Sequence, residues 1–141
     1  MLVLDTDHIS VLERADSVER ARLIHRLDQA GVTAVVTTIV SYEEQSRGWL
    51  SYVARARSAT DQVDAYERLA RHLETYRRLI VLDYEHSAAE CYQRLRAARV
   101  NVKPLDLKIA SITLANHATL LSRNLKDFEK ISGLRVENWL D

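Results

Sequence analysis

Four acidic residues spread along the chain, Asp5, Glu44, Asp106 and Asp127, carry the chemistry this sequence makes available. Each ends an apolar, strand-like run or opens a helix-like one, and positions of that kind converge at one edge of an α/β sheet. Carboxylates gathered without a fixed cation repel one another and attract a hard divalent ion, Mg2+ or Mn2+, because oxygen donors suit such ions. An ion held by Asp5 and Asp106, with Glu44 and Asp127 as direct or water-mediated ligands, lowers the pKa of a bound water and offsets charge on a phosphate. Metal-dependent phosphodiester hydrolysis is the leading expectation.

The elements that must position these acids follow from the apolar pattern. Leu2-Val3-Leu4 reads as a buried strand that stops at Asp5-Thr6-Asp7. Asp7, two residues beyond Asp5 on an extended chain, points the same way and is expected as an auxiliary ligand. Asp16 with Glu19 resembles an N-terminal cap, and the stripe of Leu23, Leu27 and Ala30 runs to Gly31. Residues 32–38 are rich in β-branched side chains and read as a second strand. Ser41-Tyr42-Glu43-Glu44 then opens a helix with Glu44 in its first turn, continuing over residues 45–59. Thr60 or Asp61 caps the next helix, and the two form an antiparallel pair.

Residues 79–82 read as a third strand and residues 86–99 as a helix, so strands and helices alternate. Pro104 suits a first helical position, which puts Asp106 in a first turn, where the helix dipole favours its ionised form. Thr119-Leu120-Leu121 reads as a fourth strand ending in Ser122-Arg123-Asn124, with Asp127-Phe128 in a loop or short helix beyond. Val136 begins a last edge strand. An α/β domain with a mainly parallel sheet of four or five strands between helices is the expected fold.

Composition removes several alternatives. With 141 residues, 47% of them apolar, the chain is long enough to bury one core, and a single domain over 1–141 is expected. No stretch approaches the ~18 apolar residues of a membrane span, and MLVLDTD lacks a basic leader before an apolar core, so a cytoplasmic protein without membrane contact is expected. The 20 basic and 20 acidic side chains cancel, which excludes nucleic-acid binding by bulk charge and leaves local contacts. Arg47, Lys108 and Arg123 are the candidates to hold neighbouring phosphates. Cys91, on an apolar stripe with Ala88, Tyr92 and Leu95, is expected to be buried. The five histidines show no zinc-binding spacing, and His8 is expected in an exposed turn.

LVLDTD at the start, EEQSRG around Glu44, LDLKIAS around Asp106 and LLSRNLKDF around Asp127 occur in order and in matching strand–helix context. In these motifs, and over essentially its whole length, the chain resembles the PIN-domain ribonucleases, in particular VapC-type toxins of bacterial toxin–antitoxin pairs. The resemblance implies a PIN-like three-layer domain and a Mg2+- or Mn2+-dependent endoribonuclease acting on RNA. A cognate antitoxin partner and a homodimer are further expectations of that resemblance. It assigns Asp5 and Asp106 to the metal, Glu44 and Asp127 to the remaining acidic positions, and Asp7, Ser122 and Asn124 to supporting ones. Asn124 departs from an acidic pattern, so Asp127 or Asp7 would complete the site.

Two other functions share these residues. Leu-Val-Leu-Asp5-Thr6-Asp7 also resembles the opening of a haloacid-dehalogenase-like phosphatase, with Asp5 as nucleophile and Asp7 as acid–base. A degenerate, non-catalytic module that binds RNA or metal is the third, and Asn124 is the residue that favours it.

Overall fold

The run Leu2-Val3-Leu4 forms a central strand because both of its faces are covered. Val3 packs into one apolar cluster, while Leu2 and Leu4 pack into another on the opposite side, the continuous apolar lettering of a parallel strand buried on both faces. The structure is a computed structural model that describes residues 1–31 and 34–141. Its elements are β1 (Leu2–Leu4), α1 (Thr6–Glu13), α2 (Val18–Gln29), β2 (Val35–Thr38), α3 (Ile39–Arg55), α4 (Ala59–Arg78) and β3 (Ile80–Leu82). They continue as α5 (His86–Ala97), α6 (Pro104–Ala115), β4 (Thr119–Leu121), α7 (Leu125–Phe128) and β5 (Arg135–Glu137).

The five strands lie in the order β3-β2-β1-β4-β5, and every neighbouring pair is parallel. The chain therefore winds outward from β1 through β2 to β3, then returns to the other side of β1 for β4 and β5. The switch falls between β1 and β4, whose registers pair Leu4 with Leu121. In such sheets the crevice outside the carboxyl ends of the strands at this switch is where ligands bind, so Asp5 and Ser122, one residue past each strand, stand at its mouth.

Two apolar layers hold the sheet. One joins Val3, Val36 and Leu120 to Ala88, Leu107, Ile109 and Ile112, which seats α5 and α6. The other joins Leu2, Leu4 and Leu121 to Ile9, Val11, Leu23 and Tyr76, which seats α1, α2 and α4. Helix α6 is apolar nearly all round, with Leu107, Ile109, Ala110 and Ile112 all buried, as a helix enclosed on several sides must be. Removing such a side chain, for example by Leu107→Ala, costs roughly 2–5 kcal/mol.

The expected strands are all present, and Cys91 is buried. Several boundaries differ. The second strand covers Val35–Thr38, and residues 32 and 33 of the expected span lie outside the described residues. The cap of α2 is Ser17 rather than Asp16, its side chain accepting from the Arg20 amide at 3.0 Å. Ser58, not Thr60 or Asp61, caps α4. Helix α3 starts earlier than expected, at Ile39, because the Thr38 hydroxyl accepts from the Ser41 amide at 3.0 Å; it ends at Arg55 rather than running on to residue 59.

Candidate active site at the carboxyl edge of the sheet

Asp5 is both the end of β1 and the cap of α1. Its extended backbone turns the chain into the helix while Oδ1 accepts from the Thr6 amide at 2.8 Å, the first helical amide and not the second or third that an N-cap aspartate ordinarily takes. Its second oxygen accepts from the Ser122 hydroxyl at 2.7 Å. Asp5 is only 5% exposed, and no lysine or arginine among the described residues pairs with it. Burial, reinforced by the negative charges of Asp7 and Asp106, pushes its carboxyl up to about 7 against the hydrogen bonds from Ser122 and Thr6.

Asp7 is the first correction. It does not continue an extended strand but sits in the first turn of α1. One carboxylate oxygen takes the Arg123 amide at 2.8 Å and approaches the Ser122 hydroxyl at 3.4 Å; the other meets His8 Nδ1 at 2.6 Å. Burial alone would raise its pKa, yet the bonds from His8 and Arg123 outweigh it and hold the carboxyl below the ordinary aspartate value.

His8 is the second correction. It is fully buried in α1 instead of exposed in a turn, and its Nε2 accepts from the Trp139 amide at 3.3 Å. Because Nε2 accepts, Nδ1 carries the proton and donates to Asp7. His8 thereby links Asp7 to the closing segment of the chain, a contact 131 positions apart that no local pattern announces.

Asp106 lies in the first turn of α6, which Pro104 opens. The dipole there favours ionisation, but burial outweighs it, and the charges of Glu44 and Asp127 add to the burial, so the carboxyl is raised. Asn124 Nδ2 donates to Asp127 Oδ2 at 3.1 Å and reaches Asp106 Oδ2 at 3.5 Å. Its own amide donates to Ser122 Oγ at 3.0 Å. Asp127, in the short helix α7, is held below its ordinary value by the bonds from Asn124 and Lys130.

Glu44 is in the second turn of α3 and not the first, because that helix begins at Ile39. The rotation still leaves it facing Asp106, whose charge it affects. Gln45, which sequence reading passed over, fixes this helix: it donates to Ser10 Oγ at 3.2 Å and accepts from Tyr76 Oη at 2.5 Å, tying α3 to α1 and α4. A polar residue beside a candidate acid was the only signal for it.

Two of the acids, Glu44 and Asp106, border a groove of about 560 Å³ that Glu43, Arg47, Lys103 and Lys108 also line. The three phosphate candidates fare differently. Arg47 is engaged by Glu43 one turn earlier, and Arg123 is drawn outward by Glu19 at 2.9 Å and Asp141 at 3.5 Å. Lys108 stands on the groove without a carboxylate partner among the described residues. Lys103 lines it as well and lowers the pKa of Asp106; three residues before that acid, it was legible as a neighbour but not as a groove residue.

Taken as they stand, no three His, Cys, Asp or Glu side chains among the described residues are arranged to hold a metal ion. The donor chemistry nevertheless fits a hard divalent cation: oxygen ligands only, a buried carboxylate without a cationic partner, and a second carboxylate raised by burial and then by its acidic neighbours. Mg2+ in particular is bound through one or two carboxylates and several waters, so the protein set need not close around it.

No family model matches the sequence. Curated relatives include the tRNA(fMet)-specific endonuclease VapC of Salmonella typhimurium, 36% identical over 66 residues. Ribonuclease VapC2 of Rickettsia felis is 37% identical over 67 residues. The aligned parts cover 44% of this chain in each case, and the chain spans about half the length of the curated relatives it matches. The fold is shared over nearly everything. A structure of VapBC2 from Rickettsia felis bound to a promoter DNA fragment superposes with a TM-score of 0.71 at 22% identity, covering 98% of both chains. FitAcB from Neisseria gonorrhoeae gives 0.70 at 22% identity, covering 99% of this chain and 98% of the other. Over the aligned stretch the sequence is similar to VapC nucleases. The parallel sheet of five strands, flanked by helices, is the PIN-like architecture that the four sequence motifs implied.

Proposed function

We propose that this chain is a metal-dependent endoribonuclease that hydrolyses phosphodiester bonds in RNA and serves as the toxin of a bacterial toxin–antitoxin pair. The observation that carries the reading is the meeting of Asp5, Asp106, Asp127 and Glu44, from four separate segments, around the β1–β4 switch, with no salt bridge to Asp5, Glu44 or Asp106 among the described residues and only the more distant Lys103 offsetting charge at Asp106. Asp5 and Asp106 would hold Mg2+ or Mn2+, with Glu44 and Asp127 joining directly or through water. When bound, such an ion lowers the pKa of a coordinated water and offsets charge on the scissile phosphate.

The remaining work belongs to the chain. Ser122 aims Asp5 by donating to one of its oxygens, Thr6 fixes the other, and Asn124 spaces Asp106 from Asp127 by donating toward both. Asp7, saturated by His8, Arg123 and Ser122, acts as a brace under Asp5 and not as a ligand. The names of the curated relatives, an endonuclease and a ribonuclease, and the VapBC complexes that share the fold support the reading. A cognate antitoxin, a homodimer and a cytoplasmic setting belong to the same proposal. No helix among the described residues is long and apolar enough to cross a membrane.

The rivals gain no observation. A phosphatase of the haloacid-dehalogenase type would place a lysine on Asp5, whereas Lys103 and Lys108 line the groove beside Asp106. Asn124 does not leave a hole in the acidic set, as a degenerate site would have it, but organises two of its members. The deciding experiment is cleavage of total RNA by the wild type, Asp5→Asn and Asp106→Asn in Mg2+, Mn2+ and EDTA. Cleavage is expected from the wild type with metal alone; cleavage in EDTA, or undiminished cleavage by both variants, overturns the reading.

A further inference from the structure

Of the three cations on the groove, Arg47 is occupied by Glu43, and Lys103, at the cap of α6, is exposed. Lys108 differs from both. It is half-buried, and its Nζ lies 5.9 Å from the ring centroid of Tyr84 and 5.7 Å from that of Tyr92. Both distances fall within the ~6 Å over which an aromatic face attracts an ammonium.

The rings themselves are fixed. Tyr84 and Tyr92 pack against the buried cluster beneath α5 and α6. Arg96, one turn after Tyr92, donates to its hydroxyl at 3.0 Å. An unrestrained lysine loses rotamer freedom when it grips a phosphate, while one already lodged against two anchored rings has lost most of it beforehand. Helix α6 carries both Asp106 and Lys108, so the ammonium is set at a fixed offset from the candidate catalytic edge.

We infer that Tyr84 and Tyr92 are positioning residues that preset Lys108 on the groove wall to bind a backbone phosphate of single-stranded RNA adjacent to the bond cleaved at Asp5 and Asp106. The inference rests on the ribonuclease reading for the cleaved bond, and it deepens that reading by naming where the strand runs: along α6, past Lys103, toward α5. Because Lys108 is a point charge and the two rings are used to hold it, this contact is indifferent to base identity.

The test is equilibrium binding of a labelled single-stranded RNA oligonucleotide by the full chain in EDTA, where no cleavage is expected, over a series of salt concentrations. Lys108→Gln is expected to weaken binding several-fold at low salt and to reduce the slope of log K against log salt by about 0.7, one phosphate contact on a single strand. Lys108→Arg should restore the slope. Tyr84→Leu combined with Tyr92→Leu should weaken binding at low salt, while the double phenylalanine variant, which keeps both rings and loses only the Arg96 bond to Tyr92, should bind more tightly than the leucine pair. Circular dichroism melting of each variant separates a lost contact from a lost fold.

An unchanged slope in a folded Lys108→Gln protein, or equal binding by the leucine and phenylalanine pairs, overturns the inference. The ribonuclease reading fails in a different way. RNA bound with the expected slope yet left intact in Mg2+ and Mn2+ would refute cleavage and leave the Lys108 contact standing.

Discussion

Ser122 Oγ donates to Asp5 Oδ2 at 2.7 Å across 117 positions of sequence. The bond joins the carboxyl ends of β1 and β4, the two strands between which the winding of the sheet reverses. Among the described residues it is one of the two hydrogen bonds that favour the charged form of this buried carboxylate, and it fixes the orientation of Oδ2.

Ser122→Ala removes that donor and leaves Asp5 with the Thr6 amide alone. A hydrogen bond to a charged group is worth ~1.5–3 kcal/mol, so denaturant unfolding at pH 8 should show a loss of that order, and the carboxyl should rise further. Cleavage at neutral pH should fall more steeply than at pH 8.5. A parallel drop at both values would show that Ser122 is structural only.

Asp5→Asn should stabilise the protein in EDTA while abolishing cleavage. The sign follows from the raised pKa. Below the ordinary value of 3.8 both folded and unfolded Asp5 are protonated, and no penalty arises; between there and about 7 the unfolded group ionises first, so stability falls as pH rises. Above that range the penalty approaches an upper bound of ~4 kcal/mol. Asparagine keeps the cap acceptor and never ionises, so urea midpoints of the variant should be higher than wild type at pH 8 and decline less across pH 4–7, the remainder coming from Asp106 and Glu13. An identical pH dependence in the two proteins would refute the assignment of that decline to Asp5.

Asn124→Asp replaces the donor between Asp106 and Asp127 with a third carboxylate. Repulsion should lower the melting temperature in EDTA, and added Mg2+ should raise it by more than in the wild type, because binding to the folded state stabilises by mass action. Thermal scans with and without Mg2+ check this. A variant no more responsive to Mg2+ than the wild type would argue that Asn124 does not border the ion.

Much of this was readable before folding. Continuous apolar runs at β1, β3 and β4 marked parallel strands, of which β1 and β4 are buried and β3 is a partly exposed edge, and Pro104 fixed the start of α6 and with it the placement of Asp106 in a first turn. Helix starts set by a hydroxyl were misjudged by one to three residues, since Thr38, Ser17 and Ser58 each had a competing capping residue close by. Glu44 was singled out for its type and neighbourhood, and its helical turn was misplaced. Asp7 was misread because a strand of three residues ends too soon to carry the extended geometry two positions further.

The sequence by itself determined which chemistry was available: four dispersed carboxylates, the strand–helix alternation that sends them toward one edge, and a net charge that rules out bulk attraction to nucleic acid. Only the tertiary structure decided which of those groups meet and in what state. The burial that lifts Asp5, the His8 and Arg123 contacts that tie up Asp7, and the two rings that hold Lys108 join residues from separate elements. Desolvation and hydrogen-bond geometry depend on those distant partners, and local spacing along a chain does not encode them.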